Sequence, residues 1–413
     1  MLTTFGSLGD LYPYLAVALG LQARGHDAVI ATGECYRQKV EALGLGFRPV
    51  RPDSDWVSDP DVMRRMSHPR WGLIRVLREL VLPTLQESFE DTQAALDGAD
   101  LLVANQAAYS GRIAAEKHGI PWVSVMHIPL VLYSSYDPPI LPGFPGVSKQ
   151  LHRLGPCFWK PMASLIRSAT RLLAKPLDRL RAEIGLPPAP EKNSLLDGHS
   201  PALHLALFSK RLADKQRDWP PQTVVTGFPW FDQVARLPDS LTNFLDAGPS
   251  PIVFTLGTAV SADAGEFYER SAAAARLLGR RAILIHHDPR QRLASLPDGV
   301  AAFDYAPFSA LFSRAAAIVH HGGIGTTALA MRSGRPMLIM PCAWDQPDNA
   351  ERAARLGIAR IIPRHRYTPA RIAAELRSLL DTPAYSHNAS QIAEQVQHED
   401  GVRVACDALE ALL

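Results

Sequence analysis

The sequence His321-Gly322-Gly323-Ile324-Gly325-Thr326-Thr327 is a glycine-rich turn between a predicted strand and a predicted helix. The apolar run 315–319 precedes it and is typical of a buried strand, and an Ala/Leu/Met-rich stretch follows it. Glycines at such a turn let backbone amides approach a ligand closely, and the helix N-terminus attracts a phosphate. The two threonine hydroxyls and the imidazole of His321 add further donors. We therefore predict a phosphate-binding turn here.

A second apolar strand is predicted at Arg335–Pro341, and Trp344-Asp345-Gln346-Pro347 follows it. The carboxyl end of a strand is where open α/β sheets bind ligands. A carboxylate accepts two O–H hydrogen bonds, whereas an amide both donates and accepts, so Asp345 and Gln346 are well suited to sugar hydroxyls. A phosphate-binding turn beside a hydroxyl-binding pair predicts a nucleotide-sugar site.

This order of motifs resembles the donor signature of the family-1, UDP-glycosyltransferase-like enzymes of GT-B architecture. The amino end, Gly6-Ser7-Leu8-Gly9-Asp10-Leu11-Tyr12-Pro13, is similar to a turn in the bacterial and sterol-type branch. Within the family the chain looks nearest to rhamnolipid rhamnosyltransferases and bacterial natural-product and flavonoid glycosyltransferases. The resemblance implies two Rossmann-like, doubly wound α/β domains with parallel sheets that face each other across a cleft.

Length and strand pattern agree with two domains. The chain has 413 residues, more than one hydrophobic core usually supports. We predict an N-terminal acceptor-binding domain at 1–222, a C-terminal donor-binding domain at 223–400, and a helix at 401–413 that returns to the first domain. The predicted strands are 2–5, 28–32, 101–104, 122–126, 252–256, 282–286, 318–320 and 337–340.

Composition excludes several classes of protein. The 43 Lys and Arg residues nearly balance 41 acidic ones, which argues against a nucleic-acid-binding protein that neutralises phosphates. No apolar run reaches the length of a membrane span. The four cysteines lack metal-ligand spacing and indicate a reducing compartment. We expect a cytoplasmic protein without a signal peptide, whose sequence starts almost inside its first strand.

Asp10 is the predicted catalytic residue. Many members of the family carry a histidine base three residues before the proline of the first turn, and the resemblance places Asp10 there, as in the sterol and glycopeptide branches. An ordinary aspartate is a weak base at neutral pH, so burial or a closely held acceptor would have to assist it. A capping role for a helix starting near 11–13 is the competing interpretation. The strand end at Asn105 offers no carboxylate partner, and we expect Asp10 to need none.

The resemblance also predicts which residues contact the nucleotide. It places Thr258 near the diphosphate, Tyr305 against the base and main-chain groups of Phe308 at the base edge, although a core aromatic is the alternative for Tyr305. Plant enzymes carry a ribose-binding Glu eight residues after the motif histidine, and Leu329 stands there. The deoxyribose of dTDP lacks the 2′-hydroxyl, so a dTDP-linked donor would lose no contact by the absence of this Glu. We therefore favour dTDP-sugars slightly over UDP-glucose.

Acceptor residues are predicted from apolar loops of the first domain and include His127, Tyr133 and Phe144. These favour a small hydrophobic acceptor such as a lipid, polyketide or flavonoid. The adjacent His286-His287-Asp288 is rejected as a metal site because neighbouring side chains leaving a strand point apart. A basic stretch is either a solvated helix face or a weak contact with an anionic membrane; it comprises Lys149, Arg153, Lys160, Arg167, Arg171, Lys175, Arg179 and Arg181.

The function expected from these features is inverting transfer of a hexose or deoxyhexose from a nucleotide diphosphate sugar to a hydroxyl. Neither a metal nor a cofactor is expected, because a helix end and hydrogen-bond donors can neutralise the leaving diphosphate. Two alternatives remain open. One is a non-catalytic nucleotide-sugar-binding or activator subunit, and the other is a nucleotide-sugar 2-epimerase, which would need further carboxylates around the sugar.

Overall fold

A computed structural model describes residues 1–53, 55–191, 193–232, 236–258 and 260–413. Within these residues, seven parallel strands form the first sheet in the order β3-β2-β1-β4-β5-β6-β7. The strands are β1 Leu2–Thr3, β2 Val29–Thr32, β3 Gly46–Pro49, β4 Leu102–Asn105, β5 Trp122–Met126, β6 His204–Ala206 and β7 Thr223–Val225. The order places β1 between β2 and β4, at the point where the direction of strand addition reverses.

Helices cover both faces of the first sheet, as parallel strands with crossover connections require. The α-helices are α1 Leu8–Gln22, α2 Arg37–Glu41, α3 Pro60–Met66, α4 Gly72–Arg75, α5 Leu85–Ala95, α6 Tyr109–His118, α7 Pro145–Leu151, α8 Gly155–Thr170 and α9 Lys175–Glu183. Short 3₁₀-helices lie at Glu34–Tyr36, Asp55–Ser58, Pro129–Val131, His152–Leu154 and Arg171–Ala174, and Val76–Val81 is a π-helix.

The second sheet contains six parallel strands of the described chain, in the order β10-β9-β8-β11-β12-β13. The strands are β8 Ile252–Thr255, β9 Ala282–Ile285, β10 Val300–Phe303, β11 Ala317–His320, β12 Met337–Ile339 and β13 Ala359–Ile361. The α-helices are α10 Asp239–Asp246, α11 Phe267–Leu278, α12 Phe308–Leu311, α13 Ile324–Ser333, α14 Gln346–Arg355, α15 Pro369–Asp381, α16 Pro383–Gln397 and α17 Gly401–Glu410, with 3₁₀-helices at Ser261–Asp263, Pro289–Gln291, Phe312–Arg314 and Arg364–Arg366.

Alternate residues of the central strands enter different cores. Ile318 packs with Val253 and Met337 on one face of the second sheet, whereas Val319 packs with Leu338 on the other. The first of these cores continues into the first domain, where it includes Met126, Leu132, Ala206 and Phe208. The domains are therefore joined by buried apolar contact as well as by the chain.

Two boundaries differ from a simple division at residue 222. Strand β7 pairs with β6, so the first sheet extends through Val225 and past the predicted boundary. Helix α17 packs against α1, where the thiol of Cys406 contacts the carbonyl oxygen of Val17. Near the end of α1, Arg24 forms ion pairs with Asp407 at 2.7 Å and Glu410 at 2.6 Å. The last helix thus belongs spatially to the first domain.

The predicted basic stretch is not one solvated face. Arg181 is buried and pairs with Glu116, while Lys149 pairs with Glu351 at 2.8 Å and Arg167 with Asp197 at 2.7 Å. These three cations are engaged within the protein. No helix among the described residues is long and apolar enough to cross a membrane.

Helix α14 is held against the first domain by a buried network of charges. Arg352, only 3% exposed, contacts Asp348 at 2.7 Å and also Asp137 of the first domain. Asp348 in turn accepts a hydrogen bond from the backbone N–H of Ile140 at 2.8 Å. Burial alone would raise the pKa of Asp137, but Arg352 and Arg355 outweigh it and lower that pKa to about 2.

We expect Asp137→Asn to lower the free energy of unfolding by about 2 kcal/mol at pH 7. Because the pKa of the folded carboxyl is depressed, its contribution is complete above the unfolded value of 3.8 and is lost as the pH falls through about 2. Urea titrations from pH 7 to pH 3 measure this. The control is Lys149→Gln at the exposed interdomain pair with Glu351, which should cost less than about 0.5 kcal/mol. Equal losses of unfolding free energy in the two variants would show that the buried pair stabilises the protein no more than the exposed pair does.

Candidate active site

The first catalytic candidate, Asp10, lies in the turn that follows β1. Helix α1 begins at Leu8, earlier than the start near 11–13 predicted from the sequence, so Asp10 occupies its first turn and Ser7 is the N-cap. One oxygen of Asp10, Oδ2, accepts hydrogen bonds from the Ser7 amide at 2.7 Å and the Ser7 hydroxyl at 2.9 Å. Gly6 is required beneath it, because a Cβ there would lie 2.5 Å from Oδ2. The carboxylate is thus part of a capping box as well as a site residue.

Three neighbouring strand ends of the first sheet meet at Asp10. Asn105 ends β4, His127 follows β5, and the order β1-β4-β5 brings them beside the Asp10 turn. The second carboxylate oxygen of Asp10, Oδ1, lies 2.7 Å from Nε2 of His127. The residue at the end of β4 is Asn105, as the sequence shows, and no carboxylate pairs with Asp10 from there. The contact of Asp10 with His127 was not predicted, because it depends on the sheet order that brings β5 to within one strand of β1.

The two ionisable groups shift each other's pKa. Burial alone would raise the pKa of Asp10, but the hydrogen bonds from His127 and Ser7 outweigh it and the pKa lies below its usual value. Burial alone would lower the pKa of His127, but the hydrogen bond with Asp10 and the charges of Asp10 and Asp345 raise it above its usual value. The pair therefore contains an ionised Asp10 at neutral pH.

The other predicted acceptor residues are less central. Tyr133 donates its hydroxyl to the carbonyl of Trp159 at 2.7 Å, so that group is engaged in the first domain. Phe144 precedes α7, is 55% exposed, and lies under the guanidinium of Arg70 at 5.2 Å. Of the three predicted acceptor residues, only His127 touches Asp10.

The donor candidates form a row along the carboxyl edge of the second sheet. Following the strand order, these residues are Tyr305 after β10, Thr258 after β8, His321 after β11 and Asp345 after β12. His287, which was not predicted to bind the donor, follows β9 in the same row. Neighbouring strands are about 4.8 Å apart. The row can therefore accept an elongated ligand that runs from the aromatic residues to Asp345.

His321 is packed tightly into the glycine turn. A Cβ on Gly323 would lie 2.3 Å from its Nε2, and one on Gly257 would lie 2.8 Å from its Cε1. Burial, with a smaller effect from His287, lowers the pKa of His321 to about 3, so the ring is neutral at physiological pH. Within the described residues, its buried Nδ1 has no hydrogen-bonding partner. A neutral ring with a spare polar atom suits a ligand oxygen.

The rest of the turn divides into structural and accessible groups. Thr327 donates its hydroxyl to the carbonyl of Gly323 at 2.9 Å and is fully buried, so its predicted phosphate contact is replaced by a helix contact. Thr326 lies beside the Gly257 position, 3.4 Å from a Cβ built there. Gly325 has open space at its Cβ position. Gly322 adopts φ +90°, a conformation that favours glycine, and places its chain against Gln346.

Asp345 and Gln346 play different parts. The side-chain oxygen of Gln346 accepts the backbone N–H groups of Cys342 at 2.8 Å and Ala343 at 2.9 Å, so it fixes the turn before α14. Asp345 accepts a hydrogen bond from Asn349 at 2.5 Å, and Asn349 also donates to the carbonyl of Gly322 at 3.0 Å. Burial raises the pKa of Asp345 to about 6, and its charge also affects His127 across the cleft.

At the far end of the row, aromatic rings gather around His287. Its ring lies 5.5 Å from that of Phe308 and 6.4 Å from that of Tyr305, which is 56% exposed. Sequence reasoning considered His287 only as a metal ligand, yet its φ of +57° and its buried, unpartnered Nε2 among the described residues mark it as unusual. Leu329 packs against the core and offers no polar group.

Two parallel-sheet domains whose carboxyl edges face each other across such a row define the GT-B class of glycosyltransferase. Among the described residues, no group of three or more His, Cys, Asp or Glu side chains could hold a metal ion. The candidate site residues offer carboxylates, imidazoles, hydroxyls and backbone amides.

Sequence comparisons identify the family. The glycosyltransferase family 28 N-terminal domain matches residues 1–131, and the C-terminal domain of erythromycin biosynthesis protein CIII-like proteins matches residues 273–410. O-mycaminosyltylonolide 6-deoxyallosyltransferase of Streptomyces fradiae is 33% identical over 99% of this chain and 96% of its own length. Glycosyltransferase GtfE of Amycolatopsis orientalis is 31% identical over 87% of this chain and 84% of its own length. The chain belongs to the family-1-like GT-B glycosyltransferases.

Solved structures show the same fold. Spinosyn forosaminyltransferase SpnP matches with a TM-score of 0.74 at 18% identity, covering 100% of this chain and 98% of that one. Glycosyltransferase VinC in complex with dTDP matches with a TM-score of 0.67 at 22% identity, covering 99% and 98%. These structures show the fold. Membership of the glycosyltransferase family, shown by the two sequence relatives, makes the protein an enzyme that transfers a sugar from a nucleotide sugar to an acceptor.

Gly323→Ala is expected to weaken binding of dTDP or UDP about tenfold, because the new Cβ would displace His321. All three atoms nearest to that Cβ position belong to the His321 ring. The alanine should therefore have no further effect in a His321→Ala background. Calorimetric titrations of the two single variants and the double variant test this. Additive losses would show that Gly323 acts independently of His321.

Asp345→Asn should stabilise the protein by about 3 kcal/mol at pH 7 while it lowers activity. The folded pKa, about 6, lies above the ordinary value of 3.8, so the ionised group disfavours the folded state at high pH. This penalty is complete above about pH 6 and disappears below the unfolded value. Urea titrations at pH 7.5 and pH 4 should give a difference only at the higher pH. A variant less stable than the parent at pH 7.5 would contradict the assignment.

Proposed function

We propose that the enzyme transfers a hexose or deoxyhexose, with inversion, from a dTDP- or UDP-linked donor to a hydroxyl of a small hydrophobic acceptor. The observation that carries this proposal is the position of Asp10. Its carboxylate lies at the carboxyl edge of the first sheet, close enough to Asp345 at the end of the donor row for their charges to interact. A base and a donor-sugar ligand on opposite sides of one cleft are what a single in-line displacement needs.

The acceptor proton goes to Asp10. A carboxylate offers about four lone-pair positions. Ser7 occupies two on Oδ2 and His127 one on Oδ1, which leaves one position on Oδ1 for an acceptor hydroxyl. As the acceptor oxygen bonds to the anomeric carbon, its proton moves to Oδ1 and the bond from that carbon to the diphosphate oxygen breaks.

The leaving diphosphate is stabilised by the amino end of α13. Unpaired N–H groups in the first turn of this helix and its positive dipole end attract an anion. The unpartnered Nδ1 of His321 and the hydroxyl of Thr326 lie at the same turn. These groups supply the charge stabilisation without a metal or a cofactor.

A dTDP-linked donor is favoured over a UDP-linked one. Leu329 packs against the core, so its position provides no partner for a ribose 2′-hydroxyl, which deoxyribose lacks. Two structurally similar proteins, VinC and spinosyn rhamnosyltransferase SpnG, are complexed with thymidine diphosphate. By its name, the relative from Streptomyces fradiae transfers 6-deoxyallose to O-mycaminosyltylonolide, which supports a deoxysugar and a natural-product acceptor.

The walls beside Asp10 suit an apolar acceptor. Phe5 precedes the Asp10 turn, and its ring lies 6.3 Å from that of Trp56. Two strands further along the sheet, β5 leads through His127 into the loop that contains Tyr133. Aromatic and aliphatic walls with one convergent carboxylate are typical of sites for small hydrophobic molecules.

A donor and acceptor panel tests the proposal. We expect a sugar-sized mass increase when dTDP-glucose, dTDP-rhamnose or UDP-glucose is incubated with a flavonol, a hydroxy-fatty acid or a macrolide, with the dTDP donors preferred. Asp10→Asn should lower kcat about 100-fold or more, while dTDP affinity changes less than about threefold. Asp97→Asn, an exposed carboxylate in the turn after α5, is the matched control. Full activity of Asp10→Asn would place the base elsewhere, and a parent enzyme that binds no nucleotide would overturn the proposal.

A further inference from the structure

His127 and Asn105 form a buried hydrogen-bond chain that ends on the proposed base. Nδ2 of Asn105 lies 3.3 Å from Nδ1 of His127, and Nε2 of His127 lies 2.7 Å from Oδ1 of Asp10. Asn105 is 3% exposed and His127 is 8% exposed. The proposed function uses Asp10 alone, so this hydrogen-bond chain through Asn105 and His127 needs its own explanation.

The backbone of β4 settles which way the Asn105 amide points. Its Oδ1 accepts a hydrogen bond from the backbone N–H of Ala107 at 2.8 Å. The NH₂ end must therefore face His127, and an NH₂ group can only donate. Nδ1 of His127 consequently acts as the acceptor and carries no proton.

The single proton of a neutral His127 ring then sits on Nε2 and points at Asp10. Neither ring nitrogen remains available to an acceptor hydroxyl, because Asn105 covers Nδ1 and Asp10 faces Nε2. His127 is thus a hydrogen-bond donor rather than the base. It fixes the rotamer of the carboxylate and keeps it ionised.

Other groups around the His127 ring favour a second proton on it, in opposition to Asn105. Asp10 from α1 and Asp345 from the loop before α14 both raise the pKa of His127. Behind Asn105 lies the buried phenol of Tyr14, whose pKa burial raises well above its usual value, so it stays neutral. Burial of the ring and the Nδ2–H of Asn105 oppose a second proton on it.

We infer that Asn105 holds His127 as the neutral Nε2–H tautomer, and that these two positioning residues orient Asp10 and keep it in its more basic state. A doubly protonated ring would form an imidazolium–carboxylate pair and make Asp10 a weaker base. The inference rests on the proposed function, because it assigns to Asp10 the proton of the acceptor.

The pH dependence of kcat distinguishes this role from a merely structural one. In the parent enzyme, kcat should fall on the acid side as His127 takes its second proton. His127→Gln keeps an N–H donor near the Nε2 position but cannot titrate, so it should retain activity within about tenfold and lose that acid limb. His127→Leu removes the donor and should lose at least about tenfold more.

Asn105→Asp is the sharpest variant. A carboxylate at this position would accept a hydrogen bond from Nδ1–H, stabilise the imidazolium and move the acid limb upward by about one pH unit or more. Unchanged pH profiles in Asn105→Asp, or equal activities of His127→Gln and His127→Leu, would overturn the inference.

A measurement without turnover separates this inference from the proposed function. Long-range ¹H–¹⁵N spectra of histidine-labelled protein at pH 7.5, assigned by comparison with His127→Gln, report the tautomer directly. We expect a neutral ring protonated on Nε2. A doubly protonated ring, or a proton on Nδ1, would refute the inference even if the sugar transfer is confirmed. Absence of transfer with the expected tautomer would refute the proposed function and the catalytic role of Asp10.

Discussion

The site depends on the contact that holds the carboxyl edges of two parallel sheets face to face. Arg352 in α14 lies between Asp348 of its own helix and Asp137 of the first domain, and all three charges are largely buried. Breaking a buried pair of this kind leaves an uncompensated charge, so the orientation of the domains is strongly specified. The same helix begins at Gln346, directly after Asp345. The interdomain contact therefore also sets the distance between the donor row and Asp10.

Two carboxylates on opposite sides of the cleft have pKa values that their surroundings shift in opposite directions. Asp10 accepts three hydrogen bonds and its pKa is lowered, whereas burial raises the pKa of Asp345 to about 6. Such divergence is typical of groups with separate tasks in one site. In the proposed function, Asp10 stays ionised to receive a proton, and Asp345 binds sugar hydroxyls from a buried position where its charge costs stability.

Local sequence patterns predicted the fold class and the strand–turn–helix arrangement around residues 321–327, because glycines, a strand and a helix lie close together in the chain. Strands β3, β6, β7, β10 and β13 were missed, since most are short, lie toward the sheet edges and lack a continuous apolar run. The partnership of Asp10 with His127 was also missed. These residues are far apart in sequence and meet only because β4 and β5 follow β1 in the sheet order, which no local pattern encodes.

Hydrogen bonding explains the other differences. Thr327 and the side-chain oxygen of Gln346 match the donor motif by residue type, yet both satisfy backbone groups of the turns that they occupy. These motif residues therefore shape the turns of the site through hydrogen bonds to the backbone. From the sequence, His287 was considered only as a metal ligand. Its left-handed backbone and its Nε2, which has no partner among the described residues, are properties of the folded chain and could not be predicted.

The proposed single displacement assisted by Asp10 fixes the anomeric configuration of the product, which can be measured. With UDP-α-D-glucose or dTDP-α-D-glucose as donor, the ¹H NMR coupling of the anomeric proton in the purified glucoside distinguishes the two outcomes. We predict the large trans-diaxial coupling of a β-glucoside, which corresponds to inversion. The small coupling of an α-glucoside would show retention and contradict the assignment of Asp10 as the base in a single displacement.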